Sequence, residues 1–573
     1  MVDHKQVGLL GKDMANIHST LDRICQHLGI DAPAALLSDR ASASSNGQAH
    51  SGNDEAGTEE ISCELSPPMS PSMAQAPIHA YLTSAQQDTS PNGAATSPRR
   101  SRRKANERLD LISKGLLTHE IAEILVQRYL SHLDRFLYGI ASMYQDIGQI
   151  RQASPVLLAA MCAVAAFHDA ENPERFDVCN REYRRLVSDS LFEKRDFEYI
   201  RALCIGTFWL PDASRILLSE AIRRAADHRL HRHFHSLSEP YLVAASTPGS
   251  SQQYHSARDR IRLWYLLYVC DQHWSILHNR DCILRPEKDA IESRELFVVG
   301  ESSMPSQDTR LMSQVFLLVI MGQIKDAFGS EQSRPLSKSS VVQLSHFGRE
   351  LDQWYSRWSA LFEPDQYIGS FPLAGLTMHF QFSKLYLGHH VFRGLKTDPI
   401  PPYFLQAATT AREAARTIFT IILDNESFRA HIIGMPAYFH IMISFAGHFL
   451  LEVCLKYQEQ LNVIVEEDFR LVSAALAVFA RTPVMPQHPI SRVTAGLMRK
   501  LSECTAALGM DSVLTESPFG TGEYAAARDV TTGPNDTAMA STFDLHLANG
   551  LPDDLLYAEF GDLAYSNTHL GFT

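Results

Sequence analysis

From about residue 109 to 508 the apolar residues recur at helical spacing almost without interruption, and no convincing alternating stretch joined by a tight turn appears in those four hundred or so residues. A chain patterned this way has one architectural option: helices packed on helices around a shared core. The start signals agree. Ser154-Pro155 places a capping hydroxyl before a proline at the first helical position, and the apolar run Val156–Phe167 follows. Thr118 can cap a helix whose inward stripe is Ile121, Leu125, Tyr129 and Leu133. Further helices are predicted near 214–232, 257–278, 308–328, 340–362, 372–393, 403–424, 436–458, 466–480 and 489–507. The fold class predicted is all-α, with 109–508 as one large multi-helix regulatory domain. The window Ile433–Leu451 has the length of a bilayer span. Its Gly434, Pro436, His440, Ser444, Gly447 and His448 make it a buried core helix instead, and no membrane partner is expected.

The ends are patterned differently. In residues 1–30, Val7, Leu10, Met14, Ile17, Leu21, Ile24 and Leu28 alternate at spacings of 3 and 4. A strict 3.5 repeat stays on one face only if the helix supercoils with a partner, so this is read as a dimerising coiled coil, homodimeric or with a related regulator. An amphipathic helix packed on its own domain is the alternative. Residues 31–108 are dense in Ser, Ala, Pro, Gly, Asn and Gln and read as a disordered linker. Near its end Arg99, Arg100, Arg102, Arg103 and Lys104 put five basic residues in six, a nuclear localisation signal by composition. The same run also suits a DNA-phosphate arm or a solvated charge cluster. Residues 509–573 have no Lys or Arg after Arg528, and interleave acids with Leu555, Leu556, Tyr557 and Phe560. That is the pattern of an acidic, hydrophobic activation tail that meets the transcription machinery; a docked C-terminal helix is the alternative.

Charge and cysteine usage narrow the chemistry. A formal net charge of −13 rules out a nucleic-acid coat, leaving only weak direct DNA contact through the local basic run. The nine cysteines are never closer than twelve positions, which excludes CxxC redox sites, zinc ribbons and compact fingers. No cofactor or metal is expected in this chain. Enzyme signatures are missing: His119-Glu120 lacks the second His of HExxH, and neither GxxxxGK[ST], GxSxG nor an Asp-rich DDxxD helix occurs. The cluster His231-Arg232-His233-Phe234-His235 carries an arginine among its histidines and reads as a solvated basic helix end rather than a metal site.

Four segments together carry a resemblance: Ser154–Phe167, Leu218–Arg232, Arg258–Ser275 (with Arg262, Trp264, Tyr268 and Asp271) and Asn279-Arg280. They resemble the middle homology region of fungal binuclear-zinc-cluster transcription factors, over roughly residues 115–400. The resemblance implies a nuclear regulator of RNA polymerase II transcription with a helical regulatory domain. A dimerising co-regulator without DNA binding of its own is the alternative, and an all-α enzyme a remote third. The family's Gly-Arg-Pro turn reads Asn279-Arg280-Asp281 here, where Asn can keep the left-handed conformation. The family's six-cysteine zinc cluster is not in this sequence, so zinc belongs only to a full product that has it; whether the cluster was lost or lies outside the sequence is left open. Asp271, among apolar neighbours, needs a partner. Arg280 is the expected one, a structural pair, with an effector pocket as the other reading. The seam yields a test: Leu21→Pro breaks the helix it lies on and should convert a dimer into a monomer by light scattering, whereas an unchanged mass would remove residues 7–28 from the interface.

Overall fold

Ser154 does what its position predicts: its hydroxyl accepts the Leu157 N–H at 3.3 Å, Pro155 opens the helix, and every residue from Val156 to Phe167 is buried. A helix apolar on all sides can sit only inside other helices. The computed structural model describes residues 109–234, 250–284, 294–299, 304–329, 334–395 and 398–510, together with a few isolated positions. In chain order the elements are α1 (His119–Arg128), α2 (Ile147–Ala153), α3 (Pro155–Phe167), α4 (Pro173–Ser190), α5 (Phe197–Trp209) and α6 (Ser214–Asp227). Then come α7 (Ser250–Leu277), α8 (Arg294–Val299), α9 (Pro305–Phe328), α10 (Ser340–Ser359), α11 (Phe371–His389) and α12 (Leu405–Asp424). The last are α13 (Glu426–Ala430), α14 (Ala437–Lys456), α15 (Val465–Ala480) and α16 (Pro489–Ala507). The one β feature among the described residues is an isolated bridge between Asp365 and Gly369.

The all-α expectation holds. α7 is the axis: α5, α6, α9 and α14 all pack on it. α3 lies against α4 and α5, α11 against α12, and α14 against α16. Indole N–H groups tie the layers together, Trp209 to the Gly434 carbonyl at 3.0 Å and Trp354 to the Ser313 carbonyl at 2.9 Å. α14 covers most of the membrane-length window, and it is buried in the core as expected. α9 is also long and apolar enough to cross a membrane and is likewise mostly buried.

Thr118 caps α1 through the Ile121 N–H at 3.3 Å. The stripe that follows continues not as one helix but through a π turn, Tyr129–Leu133, and a 3-10 turn, Asp134–Leu137, closed by Tyr138 at φ +55°. Asn279 does adopt the left-handed conformation, φ +48°. The seven seam residues, the linker with its basic run and the tail residues Leu555, Leu556, Tyr557 and Phe560 lie outside the described residues.

At Gly388 on α11 the backbone of the next helix comes close. A Cβ there would stand 2.7 Å from both the Ala407 carbonyl oxygen and the Ala411 Cβ of α12. Backbone cannot step aside as a side-chain tip can. Gly388→Ala should therefore lower the stability of the folded domain by about 1–3 kcal/mol, read as an earlier urea midpoint at unchanged slope. An unchanged midpoint would mean that α11 and α12 part freely.

Candidate functional site on the central helix

The residues that carry the family resemblance lie on α7 and just after it. Two stripes are predicted on this helix, one through Leu263, Leu266, Leu267, Cys270 and Trp274 and one through Arg260, Trp264, Tyr268 and Asp271. Apart from half-buried Arg260 and Trp274, both stripes are buried. The helix has no solvent face along most of its length. Trp264 stacks parallel to Tyr268 at 6.0 Å and meets Tyr265 edge-on, and Tyr265 in turn meets Phe297.

Burying a helix that carries arginine requires anions brought from elsewhere. Asp308, in the first turn of α9, supplies one. Its carboxylate accepts from Arg258 at 2.7 and 3.0 Å, from Arg262 and from the Ser302 hydroxyl. Asp308, Arg258 and Arg262 are 3 %, 5 % and 3 % exposed, so this is a charge cluster without water around it. The excess positive charge is shared with main-chain carbonyls: Arg262 donates to Tyr138, and Arg258 to Phe297 at 2.9 Å while lying 4.0 Å over the Phe297 ring. Arg201, also buried, bonds Asp259 at 2.7 Å, Glu198 at 2.9 Å and the Ile140 carbonyl. Asp134 accepts from the Ala141 N–H at 3.0 Å and the Ser142 hydroxyl at 3.2 Å, yet burial still pushes its pKa up to about 6. Thus Arg262 is a framework residue at the charged end of the axis.

Asp271 sits at the other end, and here the expected pairing needs correcting. Its carboxylate is held by two main-chain donors, Ile283 at 3.2 Å and Leu284 at 2.7 Å. Burial raises its pKa, those bonds oppose the rise, and Lys325 is the cation acting on it. Arg280 enters through its carbonyl, which accepts from the Ser275 hydroxyl at 2.6 Å and from the Lys325 ammonium. The left-handed Asn279 turns the chain back so that 283 and 284 can reach the carboxylate. What the turn delivers to Asp271 is backbone.

Two clefts flank this end of α7. One, about 310 Å³ with its mouth included, is lined by Cys270, His273, Trp274, His278 and Tyr438 among others, with His273 stacked on Tyr438 at 4.2 Å. The other, about 440 Å³ with its mouth included, lies on the side of Asn279, His389, His390 and Arg393. Apart from His440 and His448, which the sequence places in a core helix, the histidines buried inside the fold are the feature that sequence reading passed over. Burial pushes His168, His389, His440 and His448 down to about 4 and His273 to about 3. His379, His390 and His488 fall well below the ordinary value for the same reason. The available signal was histidine inside otherwise apolar windows, as at 440 and 448. His231 and His233 are half-buried beside exposed Arg232, and the His233 ring lies 3.4 Å from the Arg260 guanidinium, a neighbour that opposes a bound cation.

A helical domain built on a buried axis of this signature is the middle domain of a fungal transcription regulator. Residues 115–476 match the family described as the middle domain of the transcriptional activator of proteases prtT, and the chain belongs to that family. It is 29 % identical over 469 residues to the transcriptional activator of proteases prtT of Emericella nidulans, an alignment that covers 80 % of this chain and 67 % of the relative. This is a family of transcription regulators and not of enzymes.

The histidines set a pH limit. An unfolded histidine binds its proton near pH 6.5, whereas the buried ones resist until about 4. Below 6.5 the unfolded chain therefore holds more protons, and stability falls as pH falls. Each such histidine removes about 2 kcal/mol by pH 5, on the order of the whole stability when several act together. Asp134 and Asp271, both raised by burial, act in the opposite sense, but they are two carboxyls against eight histidines that burial lowers. The melting temperature should drop steeply between pH 6.5 and 5; a flat profile down to pH 5 would show that these rings are protonated in the fold.

Proposed function

We propose that this chain is a nuclear activator of protease genes, acting through RNA polymerase II. The observation that carries the reading is the match of residues 115–476 to the middle domain of an activator of proteases, supported by the relative in Emericella nidulans. The reading assigns three tasks to the outer segments. Residues 7–28 join two copies, or this chain and a related regulator. Arg99, Arg100, Arg102, Arg103 and Lys104 deliver the protein to the nucleus and add a weak, salt-sensitive grip on DNA phosphates. Residues 529–573 engage the transcription machinery, with Leu555, Leu556, Tyr557 and Phe560 as the apolar contacts. The chain itself takes no zinc, because its cysteines are far apart in sequence and six of the seven described ones are buried. Burial also raises their thiol pKa values, most strongly at Cys162 and Cys270, against the thiolate that zinc requires. Sequence-specific DNA reading then belongs to a zinc-cluster module outside this sequence or on a partner.

Deleting the gene should lower protease transcripts and secreted proteolytic activity. Replacing the five basic residues with alanine should give the same loss, with a fluorescent fusion left in the cytoplasm. Unchanged protease transcripts in the deletion strain would overturn the target assignment. Undiminished nuclear fluorescence would overturn the import assignment alone.

A further inference from the structure

The loop between α4 and α5 is pinned to α6. Arg224, buried on α6, donates to the carbonyls of Ser190, Leu191 and Glu193 at 3.0, 2.8 and 2.7 Å. Glu220, one turn earlier on α6, holds the same guanidinium at 2.6 Å. The His228 ring bonds the Arg195 carbonyl at 2.7 Å. With its carbonyls drawn toward α6, the loop leaves Leu191 40 % and Phe192 99 % exposed. Ile216, one turn before Glu220 on the same helix, is 72 % exposed. The Arg184–Asp212 ion pair ties α4 to the start of α6. Apolar side chains held in water by a fixed backbone do nothing for this fold, and an exposed aromatic of that kind is what anchors an interface. A loop set in advance also loses little freedom when a partner seats on it.

Charge identifies the partner. Residues 181–232 hold eleven Lys and Arg against eight Asp and Glu, in a chain whose formal net charge is −13. Lys194 stands exposed two residues from Phe192, and Arg229 stands exposed beside the His228 that holds the loop. Residues 511–573 have the opposite balance, one Arg against ten Asp and Glu. We propose that the acidic tail of this chain docks on the Leu191–Phe192 loop and the outer face of α6, with its apolar residues on Phe192 and Ile216 and its acids toward Lys194 and Arg229. Leu556, Phe560 and Leu563 follow one another at spacings of 4 and 3, which gives a helix one apolar face, and Asp553, Asp554, Glu559 and Asp562 surround them. Reach is sufficient: a flexible chain from Met510 to Leu556 averages about 37 Å and extends to about 150 Å, enough to meet any face of a domain of this size. Seated so, Leu556 and Phe560 are withheld from the transcription machinery until something releases them. That consequence rests on the activation reading of the tail given above; the docking does not.

Hydrogen exchange on the full chain tests the contact. Amides of residues 553–563 should exchange at least about tenfold more slowly in the full chain than in a synthetic peptide of residues 529–573, and about 1 M salt should narrow that gap. Phe192→Ser should return the tail to the peptide rate at an unchanged melting temperature, because that side chain meets solvent in the fold. Should Phe192→Ser lower the melting temperature, Lys194→Glu, at another exposed position, should give the same release. Peptide-like exchange of the tail in the wild-type chain, slow exchange that survives both substitutions, or a gap that salt leaves intact would each overturn the proposal. So would protection of 191–195 while the tail exchanges freely, which would give the loop to another occupant. Activation is read separately, from residues 529–573 fused to an unrelated DNA-binding domain: an inert fusion removes the activation reading and leaves the contact.

Discussion

One carboxylate holds two arginines of the same helix. Arg258 and Arg262 stand one turn apart on α7, and both end on Asp308. Asp308 is the carboxylate that offsets both buried guanidiniums, and removing one partner of such a cluster costs about 3–5 kcal/mol, because an unpaired charge is left in the core. The arrangement buys register more than net stability. Arg262 also reaches the Tyr138 carbonyl and Arg258 that of Phe297, so one cluster fixes how α7, α9, the turn after α1 and α8 stand relative to one another. The aromatic stacking of Trp264, Tyr265, Tyr268 and Phe297 follows from that placement.

The other end of the axis obeys a different rule. Asp271 is satisfied by backbone donors, Ser275 and Lys325 hold the Arg280 carbonyl, and the neighbouring polar groups are mostly imidazoles that burial keeps neutral. Charge locks the first half of α7, and uncharged polar groups beside open clefts surround its second half.

Much of this was legible because the signals were local. Ser154 and Thr118 cap the helices that follow them, α16 starts at Pro489, and Asn279 takes the left-handed turn its side chain tolerates. The hub was not legible, since Asp308 lies 46 and 50 residues from its arginines and nothing at that distance marks one acid among many. The partner of Asp271 was misread for a related reason. Side-chain chemistry suggested Arg280, but a left-handed residue reverses the chain and presents N–H groups, which carry no sequence identity. The histidines were visible as letters and hidden as a group, because His273, His379 and Tyr438 meet only after α7, α11 and α14 are packed.

The same geometry says how the turn after α7 can report on what happens beside it. Lys325 belongs to α9 and grips the Arg280 carbonyl, while Asp271 belongs to α7 and grips the N–H groups of 283 and 284. The turn is thus shared by two helices that Asp308 already holds in register at their other ends. A change in the Asn279 side of the cleft cannot be absorbed by sliding α7 past α9, because the hub prevents it. It meets the turn directly. Coupling between a site and a distant surface requires an element with a restricted set of positions. Here the restriction comes from charge at one end of α7 and from the bonds of Asp271 and Lys325 to the turn at the other.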